Sequence, residues 1–140
     1  MASRRKSREY AMQMLYQWEM GKHTLAQVSS TFFLEKKAEP EVEGFARELF
    51  EGAVNRREEL DRLVREHSEN WRLERLAAVD RSILRVALFE LLHHPETPPA
   101  AVINEALEIA RRFSGEDSVE FVNGILDGIR KTLPARPTNP

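Results

Sequence analysis

Apolar residues recur along this chain at a spacing of three and four, the period of a helix buried on one side. Ala11, Met14, Leu15 and Trp18 follow that spacing, and Gly21 marks a stop. Thr24 suits the cap of a second helix carrying Leu25, Val28 and Phe32. Pro40 fits the first turn of a third, with Val42, Phe45, Leu49, Ala53, Leu60 and Leu63 along one side. That third element either runs to about His67 or bends near Gly52. A short connecting helix is expected over 71–77. No stretch alternates with the period of a strand, so the fold class is all-α.

The second half is read the same way. Asp80 suits a cap, and the segment after it has Ile83, Leu84, Val86, Ala87, Leu88, Phe89, Leu91 and Leu92. Those residues cover most of the circumference, so this helix is expected at the centre of the second half. His94-Pro95 ends it, and Thr97-Pro98-Pro99 starts the next, which turns Val102, Ile103, Ala106, Leu107, Ala110 and Phe113 inward. Gly115 closes that helix. Asp117 and Glu120 have capping-box spacing for a last helix with Val122, Ile125, Leu126 and Ile129 inward. Asn123-Gly124 has the composition of a hairpin turn but sits inside the helical period, so Gly124 is expected to permit close packing and Asn123 to bond a neighbouring backbone. Asn104 and Glu105 are expected to make interhelical hydrogen bonds. About seven helices result, in two small packed bundles, one over about 4–68 and one over about 71–132. The proline-rich end, 134–140, is expected to be a disordered tail.

Composition narrows the classes. With 140 residues, one domain of two packed halves is the expectation, and it has enough chain for a real core. The absence of cysteine excludes disulfides and thiolate metal sites, and points to a reducing cytoplasm. No apolar run has the length of a membrane span. The charge is uneven. Arg4, Arg5, Lys6 and Arg8 lie within five positions, and taking them from a net charge of −2 leaves −6.

No glycine-rich phosphate loop, triad-like spacing or metal-ligand spacing occurs, so no catalytic residue and no cofactor is assigned. His93-His94 is the one tempting pair, but adjacent helical positions diverge by about 100°. The basic arm is the main candidate for function. Arginine offers a planar fork for phosphate, Tyr10 and Tyr16 can stack on an unpaired base, and Gln13 can read a base edge. The plainer reading of the arm is a solvated terminus. A second candidate surface comprises Glu116, Asp117, Ser118 and Phe121, where an aromatic at the edge of the apolar stripe suits a partner anchor. Its plainer reading is a peripheral core residue beneath a helix cap.

Four segments carry a resemblance: RRKSREYAMQMLYQWEM, VDRSILRVALFELL, PPAAVINEALEIARRF and EDSVEFVNGILDGI. In order, spacing and content they resemble the NusB family of bacterial transcription antitermination factors, over nearly the whole chain. The resemblance implies an all-helical, non-enzymatic protein that pairs with the ribosomal protein NusE on single-stranded boxA leader RNA. It implies indirect dealings with other Nus factors and RNA polymerase, notably in ribosomal RNA transcription. By the same resemblance Arg4, Arg5, Lys6 and Arg8 form an RNA-binding arm, with Gln13 and Tyr16 on the adjoining RNA face. Asp80, Arg85, Asp117 and Phe121 fall around the RNA and partner surface, Arg85 serving equally well as a bundle salt bridge. No role is carried onto residues 22–45. Two alternatives stay open: a stand-alone module of the kind fused to RNA methyltransferases, and a structural helical protein. Some relatives self-associate, so a homodimer is a further possibility.

Overall fold

The computed structural model describes residues 2–68 and 76–134. Seven helices and no strand lie among the described residues, the expected third element being divided in two. They are α1 (Ala2–Met20), α2 (Leu25–Thr31), α3 (Pro40–Asn55), α4 (Arg57–Glu66), α5 (Ala78–His93), α6 (Pro99–Phe113) and α7 (Glu116–Thr132). Nearly all of the expected connecting helix, and the tail beyond Pro134, lie outside the described residues.

Local chemistry sets most boundaries. Thr24 accepts the backbone N–H of Gln27 while Gln27 accepts that of Thr24, a complete capping box on a helix of only seven residues. Pro40 and Pro99 each open a helix, where a missing N–H costs nothing. The third element does bend, but at Arg56 rather than Gly52. Arg56 leaves helical geometry at φ −112°, ψ 19°, while its N–H still reaches the Gly52 carbonyl at 3.0 Å. Gly52 stays helical and has another task. A Cβ there would strike the ring edge of Phe89 on α5, so its missing side chain lets α3 and α5 meet.

Helix α5 is the axis of the molecule. Every residue from Ser82 to Leu91 is buried. It packs against α6 and α7, and also against α1, α3 and α4, so its packing reaches beyond the second part of the chain where it was expected. One apolar cluster runs through the molecule, from Met14 and Leu15 on α1 through Leu49 and Phe50 on α3 to Leu126 and Ile129 on α7.

Polar residues inside that core are paired. Arg8 on α1 forks onto Glu90 at 2.7 and 2.6 Å, and Arg81 reaches Glu19 at 2.7 Å. These pairs order α1 and α5 antiparallel, because the early residue of α1 meets the late residue of α5 and the reverse. Arg85 forks onto Asp61 of α4 at 2.8 and 3.0 Å, with Glu19 at 3.7 Å.

Candidate nucleic-acid interface

The basic residues are not a loose arm leading into a helix. Helix α1 is already formed at Ala2, so the four cations are fixed at helical angles and diverge. Arg4 lies over the Phe45 ring of α3, 3.8 Å from its centre. Arg5 reaches to α6, where its Nε and Nη2 donate to both oxygens of Glu105 at 2.7 and 3.1 Å. Lys6 sits 4.9 Å from the Tyr10 ring and 3.6 Å from Glu9. Arg8 points into the core, its side chain 9% exposed and that of its partner Glu90 only 1%. No acidic residue lies in the first turn of α1, and cations there oppose the helix dipole. Carboxylates from α5 and α6 offset that cost.

Helix α6 runs alongside in the same sense as α1. Arg5 pairs with Glu105, and further along Glu9 accepts from Arg112 at 2.9 Å. Arg112 remains 63% exposed, and Arg111 beside it bonds Glu108 at 2.6 Å. Arg5, Lys6 and Arg112 therefore gather around Glu105 and Glu9 where α1 faces α6, while Arg4 is exposed on the side toward α3 and Arg111 toward the start of α7. Charge clustering in the first eight residues revealed this only in part.

Beyond the cations, α1 presents Gln13 half-buried and Tyr16 exposed. Their spacing of three places them on one face. Tyr10 does not join them. It sits edge-on against Phe32 and Phe33, with ring centres 5.9 and 5.4 Å away.

The second surface forms where α6 turns into α7. Asp80 is not the cap of α5: Ala77 holds that position, and Asp80 lies buried in the first turn. Its two oxygens each accept a serine hydroxyl at 3.0 Å, from Ser114 and Ser118. This carboxylate ties the α6–α7 corner to the start of α5. The expected capping box at Asp117 and Glu120 is also absent. Gly115 is the N-cap of α7 and the helix begins at Glu116, which leaves Asp117 exposed in the first turn, where a negative charge suits the dipole. Glu116 is exposed, 3.5 Å from Arg111. Phe121 is half-buried at the edge of the core stripe. Asn123 and Gly124 face outward, and a Cβ on Gly124 would meet nothing within 4 Å, so close packing there is not its role. Glu105 does bond between helices, as expected, while Asn104 is exposed.

Arg85 is a buried bundle ion pair, away from the exposed cations. Together with Arg8 and Arg81 it belongs to a set that chain order conceals, because the partners lie 24 to 82 positions apart. The visible signal was a charge inside an otherwise apolar run, Arg85 and Glu90 in ILRVALFELL.

The tempting histidines face different groups. His93 meets Glu59 at 3.0 Å, while His94 lies between Glu96 at 2.7 Å and Glu48 at 3.5 Å. The hydrogen bond from His94 holds the Glu96 carboxyl below the usual carboxylate range. Among the described residues no group of three or more such side chains is placed to hold a metal.

Comparison with known proteins adds a family to this geometry. The NusB family model matches residues 5–131. A transcription antitermination protein NusB from Koribacter versatilis is 54% identical over 134 residues, covering 95% of this chain and 92% of the relative. One from Myxococcus xanthus is 42% identical, with 95% and 98% covered. Among solved structures, T. maritima NusB superposes with a TM-score of 0.84 at 36% identity, covering 92% of this chain and 91% of that one. A chain from a crystal structure of antitermination factors NusB and NusE in complex with dsRNA gives 0.86 at 26% identity, with 95% and 99% covered.

Proposed function

This chain belongs to the NusB family, and from that premise we propose that it is an RNA-binding transcription antitermination factor that pairs with NusE on boxA-type leader RNA. The observation that carries the reading is the 54% identity to an antitermination protein over 95% of the chain. The complex of NusB and NusE with dsRNA, similar in fold over almost its whole length, supports both an RNA and a NusE partner. The proposed role is assembly of an antitermination complex on RNA polymerase, without an enzymatic step or cofactor, in the cytoplasm of a bacterium. No helix among the described residues is long and apolar enough to cross a membrane. Relatives that carry the antitermination name are covered over 92% and 98% of their own length, which disfavours the methyltransferase-module reading.

Each residue then takes a role from its position. Arg4, Arg5 and Lys6, exposed at the start of α1, contact phosphates. Tyr16 stacks on an unpaired base and Gln13 reads a base edge. Arg8 and Arg85 serve from within, by fixing α1 and α4 against α5. Glu116, Asp117 and Phe121 face NusE, and Asp80 holds the corner that presents them. The RNA is proposed to be single-stranded where it is read, since stacking on Tyr16 needs an unstacked base.

The test is titration of single-stranded boxA RNA, a scrambled strand and a duplex, with and without NusE, at two salt concentrations. The pair is expected to bind boxA more tightly than either protein alone, each raising the other's affinity by the same factor. Replacing Arg4, Arg5 and Lys6 together by alanine removes about three phosphate contacts, so the log–log salt slope should flatten by about 2. An unchanged slope would put the phosphate contacts elsewhere.

Calorimetric titration of NusE tests the partner face. Phe121→Ala removes an aromatic that leans on the core edge, and as an interface anchor its loss costs about 2 kcal/mol of NusE affinity. Melting curves monitor the folded state. Full NusE affinity in a folded Phe121→Ala protein would move the interface off this face.

A further inference from the structure

The cations at the start of α1 are engaged by other groups of the chain, and their engagements differ in kind. Arg8 is locked: both members of its pair are buried. Arg5 is not. Its side chain is 49% exposed and that of Glu105 19%, and the two meet through the guanidinium fork, Nε and Nη2 on the two carboxylate oxygens. That fork edge is the one arginine offers a phosphate. A carboxylate placed on it occupies the donors an incoming phosphate needs. Glu105 stands on α6, so the contact is built by tertiary packing across 100 positions. The pairing leaves its mark on both groups: Arg5 holds its proton more firmly, and the Glu105 carboxyl lies below the usual range, in each case chiefly through the hydrogen bond between them.

We propose that Glu105 is an internal stand-in for RNA phosphate, a latch that holds Arg5 in the free protein and must release it before Arg5 contacts RNA. The proposal rests on the RNA-binding reading above and adds a residue that opposes binding. An exposed ion pair is weak enough to be displaced yet strong enough to be measurable. The latch sets a threshold: a single phosphate competes poorly with a forked carboxylate, while a strand that also engages Arg4, Lys6 and Tyr16 displaces it. Weak, scattered contacts are thereby disfavoured against a strand that meets several of these residues at once.

The experiment is a double-mutant cycle on the full chain, with wild type, Glu105→Gln, Arg5→Ala and the double variant. Each is titrated with single-stranded boxA-type RNA and, in parallel, with long-chain inorganic polyphosphate; melting curves confirm the fold. Glu105→Gln is expected to tighten binding about two- to fivefold, the range of an exposed ion pair. In the Arg5→Ala background the same substitution should give no gain, because there is nothing to release. An equal gain in both backgrounds would be a general effect of removing negative charge, and would overturn the latch. No gain, or a loss, would mean that Glu105 aims Arg5 at its ligand, and would also overturn it. If wild type binds polyphosphate but not RNA, the RNA reading falls while the cycle on polyphosphate still decides the latch. Binding of neither probe overturns both.

Discussion

Glu90→Leu is expected to cost about 3–5 kcal/mol, the cost of leaving a buried arginine without its counter-charge. Glu90 is fully buried in the middle of α5 and accepts both arms of the Arg8 fork, itself buried. Leucine fits the apolar surroundings of Ile83, Val86 and Ala87, so packing is not what is lost. Arg8 cannot follow its charge into water without unwinding the first turns of α1, and those turns position Arg4 and Arg5. The companion variant is Arg8→Met with Glu90→Leu. Replacing a whole buried pair by apolar residues of similar volume is often neutral or better, so the double variant should recover most of the loss. Urea unfolding of the three proteins makes the comparison. A small effect for Glu90→Leu alone would mean that water or another carboxylate reaches Arg8. The double variant also separates roles: if Arg8 acts from within, it should keep boxA affinity close to that of wild type.

Gly52→Ala should destabilise by about 2 kcal/mol, against the usual direction for a helix. Alanine gains about 1 kcal/mol over glycine in a helix interior. Here the added methyl would overlap the ring edge of Phe89, 2.5 Å from Cε2. That ring has little room to yield, with the His93 ring tilted against it at 5.1 Å and the His94 ring edge-on at 5.7 Å. Overpacking of a core costs about 1–3 kcal/mol, and an overlap of this depth belongs at or above the upper end. The same helix carries the control. A Cβ on Gly44 meets nothing within 4 Å and the residue is exposed, so Gly44→Ala should stabilise by about 0.5–1 kcal/mol. Phe89→Leu combined with Gly52→Ala should restore part of the loss by shortening the obstructing side chain. Thermal melting that shows both glycines responding alike would remove the case for a close α3–α5 crossing.

Within one or two helical turns, sequence was sufficient. The starts at Pro40 and Pro99, the cap at Thr24, the stop at Gly21 and the burial of Leu84, Leu88 and Leu91 depend on residues no more than four positions apart. Such neighbours meet in any fold that contains the helix, so their pattern is decisive. The arm as a basic candidate and Phe121 as an edge aromatic were legible for the same reason: composition and phase are local properties. Tertiary structure decided where each charged group is spent. Asp80 has the composition of a cap, yet Ser114 and Ser118, more than 30 positions away, take both its oxygens. Asp117 has capping-box spacing, yet Gly115 is already in the capping position. Gly52 and Gly124 look alike in a helical pattern, but only the first faces another helix at close range. Arg5 and Arg8 look equivalent in RRKSR. Their difference comes from helical phase together with what α6 and α5 place opposite them: a partly exposed glutamate for Arg5 and a buried one for Arg8. A charge takes the best counter-charge within a few ångströms in space, and chain order does not encode that distance until the helices have packed.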